Sequence, residues 1–156
     1  MRSFGPVDHF AAGAVGEPGA RAFHLEVEAE GVREWFLLEK QQVAALAERI
    51  LELLRPLGTP PQDPGPGLGA PVPPTFRVGD IGLGTDVDGL VVVLEPAEEG
   101  DEPVGFTLAP EQADAAARAA LEVVGAGRPT CRFCGRPKDP EGHTCPATNG
   151  DLRHDR

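Results

Sequence analysis

The stretch TPPQDPGPGLGAPVPP, Thr59 to Pro74, packs seven prolines and three glycines into 16 residues. Proline has no N–H to give a helix or a sheet, and it fixes its own φ. The run has no hydrophobic period and little charge, so it reads as a mobile or polyproline-like connector that cannot pack. It divides the chain into residues 1–57 and 75–127, followed by a Cys/His-bearing tail. The expected domains are an α+β domain over 1–127 joined through the linker 59–74, a knuckle over 128–150, and a disordered tail over 151–156.

The two halves read alike. In the first, FAAGAV is a short strand. GEPGA follows, with Pro18 and Gly19 suited to the centre of a type II turn. AFHLEVEAE then alternates, with Phe23, Leu25 and Val27 on one face and His24, Glu26 and Glu28 on the other. Glu30-Gly31 turns the chain, and VREWFLLE returns as a third strand. KQQVAALAERILELL sets Val43, Leu46, Ile50, Leu53 and Leu54 at helical spacing, and Pro56 and Gly58 end that helix.

The second half begins with FRVGDIGLGTDV. Its apolar phase slips between Phe76/Val78 and Ile81/Leu83, which a bulge near Gly79-Asp80 absorbs. Asp88-Gly89 signals a hairpin turn. LVVVLE and VGFTL are further strands, and PEQADAAARAALEVV is a helix with Pro110 in its first turn. A shift of 70 residues lays Phe36, Leu38, Gln42, Ala45, Ala47, Leu51 and Glu52 on Phe106, Leu108, Gln112, Ala115, Ala117, Leu121 and Glu122. An Ala/Leu-rich helix can also match itself by chance. Taken as a repeat, the pattern gives two β-β-β-α units. The fold class is then α+β: a mostly antiparallel six-stranded sheet with two helices on one side.

All three cysteines lie in the tail TCRFCGRPKDPEGHTCPATNG. The pattern Cys131-x2-Cys134-x8-His143-x-Cys145 offers three thiolates and an imidazole, donors suited to a closed tetrahedral zinc site. Gly135 permits the positive φ of a knuckle, and Asp139-Pro140-Glu141-Gly142 turns the chain back. Metal would supply the folding energy of so short a segment. A structural disulfide is opposed by the odd cysteine count and the expected cytoplasmic location. A redox Cys-x-x-Cys opens a helix, whereas Pro129 and Pro137 bracket this one. His154 is a spare donor. With four protein ligands no position is open for water, so the zinc reads as structural. Arg132, Phe133, Arg136 and Lys138 are the candidates for partner contact, although Phe133 could equally pack on the sheet domain.

Charge limits the partners. Of a net −11, residues 128–156 hold six basic and four acidic side chains, which leaves −13 on residues 1–127. A body this acidic repels phosphate backbones, so nucleic acid is open only to the tail. No run of 18 apolar residues is present to span a membrane. MRSFGPVDHF has no apolar core of a signal peptide, so a cytoplasmic location is expected.

Pairing the first two strands around Gly16–Gly19 puts His9 opposite Glu26, with His24 and Glu28 diagonal. Two imidazoles and two carboxylates on one face could bind a metal or shuttle protons. An ordinary solvated strand face with cross-strand charge pairs accounts for the same residues. Asp80, Asp86 and Asp88 receive no site, since Asp88 belongs to its turn and Asp80 to the bulge. Gly79–Gly84 lacks a Walker lysine, and Ser3 is the only serine.

AAGAVGEPGARAFHL with LLEKQQVAALAERILELL, together with the tail AGRPTCRFCGRPKDPEGHTCPATNG, resembles a family of uncharacterised, mainly actinobacterial proteins, domain of unknown function 3090. The resemblance runs over nearly the whole chain apart from the Pro/Gly linker. It implies a zinc-ribbon-like tail and no particular activity. The family's tail usually finishes with aromatic and basic residues soon after Asn-Gly, whereas Asn149-Gly150 here leads into DLRHDR. The functional expectation is a zinc-binding, non-enzymatic protein-binding or adaptor module. The alternatives are an enzyme or accessory subunit using the His9/His24/Glu26/Glu28 face, and nucleic-acid recognition by the basic knuckle.

Overall fold

The computed structural model describes residues 1–17 and 19–125. The chain divides into a unit Met1–Val124 and a unit Gly125–Arg156. The zinc-ligand candidates Cys131, Cys134, His143 and Cys145, and the contact candidates Arg132, Phe133, Arg136 and Lys138, lie outside the described residues, as does His154.

The first unit is α+β. Its elements are β1 (Arg2–Pro6), β2 (His9–Val15), β3 (Ala22–Ala29), β4 (Val32–Leu38), α1 (Lys40–Leu54), β5 (Pro74–Asp86), β6 (Gly89–Pro96), β7 (Val104–Leu108) and α2 (Pro110–Gly125). A short 3-10 turn, Arg55–Leu57, follows α1. The seven strands form one sheet in the order β1-β7-β6-β5-β4-β3-β2. Four junctions are antiparallel and two, β4–β5 and β1–β7, are parallel.

Sequence reasoning expected six strands. The seventh arises because the first strand bends at Val7-Asp8 and pairs on both sides of the bend. The Val7 N–H donates to the Thr107 carbonyl at 3.2 Å, and the Asp8 N–H donates to the Glu28 carbonyl at 2.8 Å. One bent strand therefore supplies both ends of the strand order. The curl this requires is visible across the sheet. Arg2 on β1 grips Glu34 on β4 through two hydrogen bonds of 3.0 and 2.9 Å, and the Phe10 and Phe106 rings lie 5.7 Å apart.

The core lies between the helices and one sheet face. Phe10, Phe23, Leu25, Val27, Phe36, Leu38, Phe76, Val78, Leu90, Val92, Leu94, Val104 and Phe106 supply the sheet side. On α1 the buried residues are Val43, Leu46, Ala47, Ile50 and Leu54, close to the periodic set expected. The buried face of α2 is almost all alanine, at Ala113, Ala116, Ala117 and Ala120, small side chains that leave room for close packing.

The local turn chemistry explains the registers. Glu30 and Gly31 have φ of 53° and 79°, the two left-handed positions of a type I′ hairpin turn. Val78 pairs with Pro96 and Ile81 with Leu94, a one-residue slip at Gly79-Asp80 where the apolar phase changes. The hairpin after β5 turns on Val87-Asp88 rather than Asp88-Gly89. There the Asp86 carboxylate accepts the Asp88 N–H at 2.7 Å and the Gly89 N–H at 3.1 Å, so Asp86 is the turn-fixing aspartate.

The internal repeat has a structural counterpart. Gln42, in the first turn of α1, accepts the Glu39 N–H at 2.8 Å and donates to the carbonyls of Val78 and Gly79 at 3.1 and 2.8 Å. Gln112, in the first turn of α2, accepts the Ala109 N–H at 3.2 Å and donates to the Val7 carbonyl at 3.2 Å. Each glutamine caps its own helix and holds the irregular point of the other half's first strand. The unit β2-β3-β4-α1 thus repeats as β5-β6-β7-α2, and both parallel junctions fall where one repeat meets the next.

Candidate functional site

The polar constellation foreseen on β2 and β3 is present, with a different register and a different environment. His9 pairs with Glu28, Ala11 with Glu26 and Gly13 with His24. The expected register was two residues off because the tight turn spans Glu17 to Ala20, whose N–H donates back to the Glu17 carbonyl at 2.9 Å, with Gly19 at φ 90°. A shift of two keeps every side chain on its face. The expected neighbours therefore remain neighbours.

Glu26 is the centre. It is 1% exposed, so the expected solvated face is in fact covered there. Oε1 lies 2.8 Å from His9 Nε2. Oε2 accepts from Arg33 NH1 at 2.8 Å and from the Trp35 indole N–H. The Gly69 N–H is shared between both oxygens at 3.1 and 3.2 Å. Arg33 and Trp35 reach this carboxylate because β4 runs antiparallel to β3, with Trp35 opposite Glu26 and Arg33 opposite Glu28. Burial acts to raise the Glu26 pKa. The hydrogen bonds from Trp35, Arg33 and the Gly69 backbone, with the His9 charge, outweigh it and hold the carboxyl below its ordinary value.

His24 is 8% exposed, and its ring centroid lies 4.7 Å from that of Trp35. Its Nδ1 is buried without a hydrogen-bond partner. Burial depresses its pKa, against the opposing effect of the Ala22 backbone. Among the described residues no group of three or more His, Cys, Asp or Glu is placed to hold a metal ion. His9, His24, Glu26 and Glu28 thus share a face without forming a ligand set, and the Glu26 oxygens are engaged by His9, Arg33, Trp35 and Gly69.

The cover is the Pro/Gly stretch, which packs instead of swinging free. The Gln62 N–H donates to Asp114 of α2 at 2.8 Å, and Asp114 is itself buried and paired with Arg118 at 2.7 Å. The Gly65 N–H donates to the Ala115 carbonyl at 3.0 Å. Leu68 then seats on Gly13, where a Cβ would come within 2.9 Å of it. Gly69 meets Glu26, and the Ala70 carbonyl accepts from Arg33 at 2.6 Å. The segment lacks a period of its own, yet the N–H groups of Gln62, Gly65 and Gly69 and the carbonyl of Ala70 find partners fixed elsewhere, which holds it in place without a helix or strand.

Sequence reasoning missed Arg33, Trp35, Gly69 and Leu68. Two signals pointed to them. Trp35 falls on the face read as solvated, an unusual place for a tryptophan without a cover. Leu68 is the one large apolar residue in the Pro/Gly run apart from Val72.

Residues 2–145 match a family described as a protein of unknown function, DUF3090. The chain belongs to the DUF3090 family. That match takes in the body, the strap-like segment 59–74 and the stretch through Cys145. No curated protein and no solved structure matches this DUF3090 chain. Among its described residues no helix is long and apolar enough to cross a membrane.

Proposed function

We propose that this DUF3090 protein is a zinc-binding, non-enzymatic module that binds another protein as an adaptor. The observation that carries the reading is the donor set Cys131, Cys134, His143 and Cys145. Three thiolates and an imidazole fit a divalent zinc ion and close its coordination, leaving no position for a reacting water. The zinc would organise the segment around it, and Arg132, Phe133, Arg136 and Lys138 would then be offered to a partner.

The body supports the same reading. Its most polar constellation serves architecture: each Glu26 oxygen already accepts from its neighbours, and the segment that closes over it is held by Glu26 and Arg33. A general base needs an oxygen free for substrate.

The test is a pull-down from native lysate with metal-loaded full-length protein. Cys134→Ser should abolish capture of a partner that wild type and His9→Ala both retain. Retention by Cys134→Ser, with loss in His9→Ala, would overturn the reading in favour of the strand face.

A further inference from the structure

The repeat creates two equivalent pairs of seats, each joining a strand of one half to the helix of the other, and leaves one pair covered and the other bare. Because Gln112 holds Val7 and Gln42 holds Val78, position 13 of the first half corresponds to position 84 of the second, and Ala115 of α2 corresponds to Ala45 of α1. At Gly13 and Ala115 both positions are occupied by the chain's own segment: Gly65 lies against Ala115, where a Cβ would be 3.3 Å from the alanine methyl, and Leu68 lies on Gly13. At the equivalent pair a groove of about 460 Å³ lies beside Ala45, lined by Gln42, Leu46 and Arg49 of α1 and by Ile81 and Leu83 of β5. At Gly84 a Cβ would meet nothing within 4 Å. The same two seats exist, and among the described residues nothing fills them.

We propose that this second pair of seats docks an extended, glycine- and proline-rich peptide from another protein, with a glycine against Ala45 and, three residues on, a leucine-sized side chain on Gly84. The inference rests on the protein-binding reading above and names the class of partner. The occupant's chemistry follows from the filled seats, where Gly65 and Leu68 have that spacing, and from the residues around the empty ones. The register places Val93 where the first half has Glu26, since Ala11 pairs with Glu26 and Gly82 with Val93. The carboxylate clamp is thus replaced by an apolar neighbour. Val91, opposite Gly84, takes the place of His24 and adds a second one. The docked segment is held by apolar contact at Gly84, Val91 and Val93 and by backbone hydrogen bonding at α1, the mode by which Gly65 N–H reaches the Ala115 carbonyl. A body of formal charge −13 selects against acidic peptides.

The probe is a synthetic peptide with the sequence of residues 64–71, PGPGLGAP, titrated into the isotopically labelled full-length protein by NMR. Saturable shifts should appear at Ala45, Arg49, Gly82, Gly84 and Val91. Changing the peptide's leucine to alanine should weaken binding about tenfold, as should Gly84→Val in the protein. Open space at Gly84 lets that variant keep its melting temperature. The leucine-to-alanine peptide leaves the protein untouched, so the comparison stands even if the variant misfolds. Absence of saturable shifts overturns the proposal, as do shifts confined to Gly13 and Ala115. It is also overturned if Gly84→Val by itself moves resonances of residues 126–156, because the occupant would then be the chain's own C-terminal residues. A partner captured in the pull-down by a protein that ignores this peptide would sink the inference and leave the adaptor reading standing.

Discussion

The backbone N–H of Gly69 donates to the buried carboxylate of Glu26, 43 residues earlier in the chain, at 3.1 Å from one oxygen and 3.2 Å from the other. A Cβ at position 69 would lie 2.8 Å from Arg33 NH1 and 3.3 Å from Glu26 Oε2. Only glycine lets the main chain approach both charged groups this closely. Gly69→Ala should therefore cost about 1–3 kcal/mol of unfolding free energy and speed amide exchange across residues 62–70. A Cβ at Gly67 would meet nothing within 4 Å. Gly67→Ala is the matched control, expected within about 0.5 kcal/mol of wild type by urea titration.

Glu26→Gln keeps the shape of the side chain and removes its charge. One amide cannot accept from Arg33, Trp35, His9 and Gly69 together, and its own NH2 would face donors. The loss should be about 2–4 kcal/mol, read from chemical denaturation at pH 7. Arg33→Lys should recover little of what Arg33→Ala loses, because Arg33 NH1 bonds Glu26 and the Ala70 carbonyl at once.

Acid should destabilise the body in two steps with different owners. His24 is buried with its pKa held below the ordinary 6.5. Its contribution is complete above that value and declines as pH falls from there toward the folded pKa, because the unfolded chain takes up a proton that the buried ring refuses. Glu26 and Glu34 are held below their ordinary 4.5, Glu34 chiefly by the Arg2 hydrogen bond. Their contribution is present above 4.5 and declines as pH falls through the folded pKa. Melting temperature against pH should show both limbs. His24→Phe should flatten the upper one and leave the lower one in place.

The paired glutamines make a further case. Gln42 makes two bonds to the opposite strand and Gln112 makes one. Gln42→Ala should cost more than Gln112→Ala, each about 1–2 kcal/mol. The double variant should be close to additive, since the two residues share no partner. Strong non-additivity in urea titrations would mean that the two halves do not hold each other's bends independently.

Much of the fold was legible because its information is local. The amphipathic spacing of Val43, Leu46 and Ile50 defines α1, the apolar phase change between Val78 and Ile81 places the bulge, and the match of Gln42 to Gln112 marks the repeat. The curl of the sheet was not legible. It depends on Val7-Asp8 pairing with two strands at once, and no local pattern in FGPVDHF distinguishes a bent strand from a turn. The packed Pro/Gly stretch was hidden for a related reason: its order comes from Glu26, Arg33, Asp114 and Ala115, all distant in sequence, and not from any propensity of its own. His9 and Glu26 were correctly placed on one face, but the burial of Glu26 depends on that cover and could not be read from strand alternation.

The most direct check on the functional account is the zinc content of full-length protein purified without added chelator or metal. One zinc per chain, lost in Cys134→Ser while the body keeps its melting temperature, is the predicted result. Protein that contains no stoichiometric zinc and fails to take it up at micromolar free metal would contradict it.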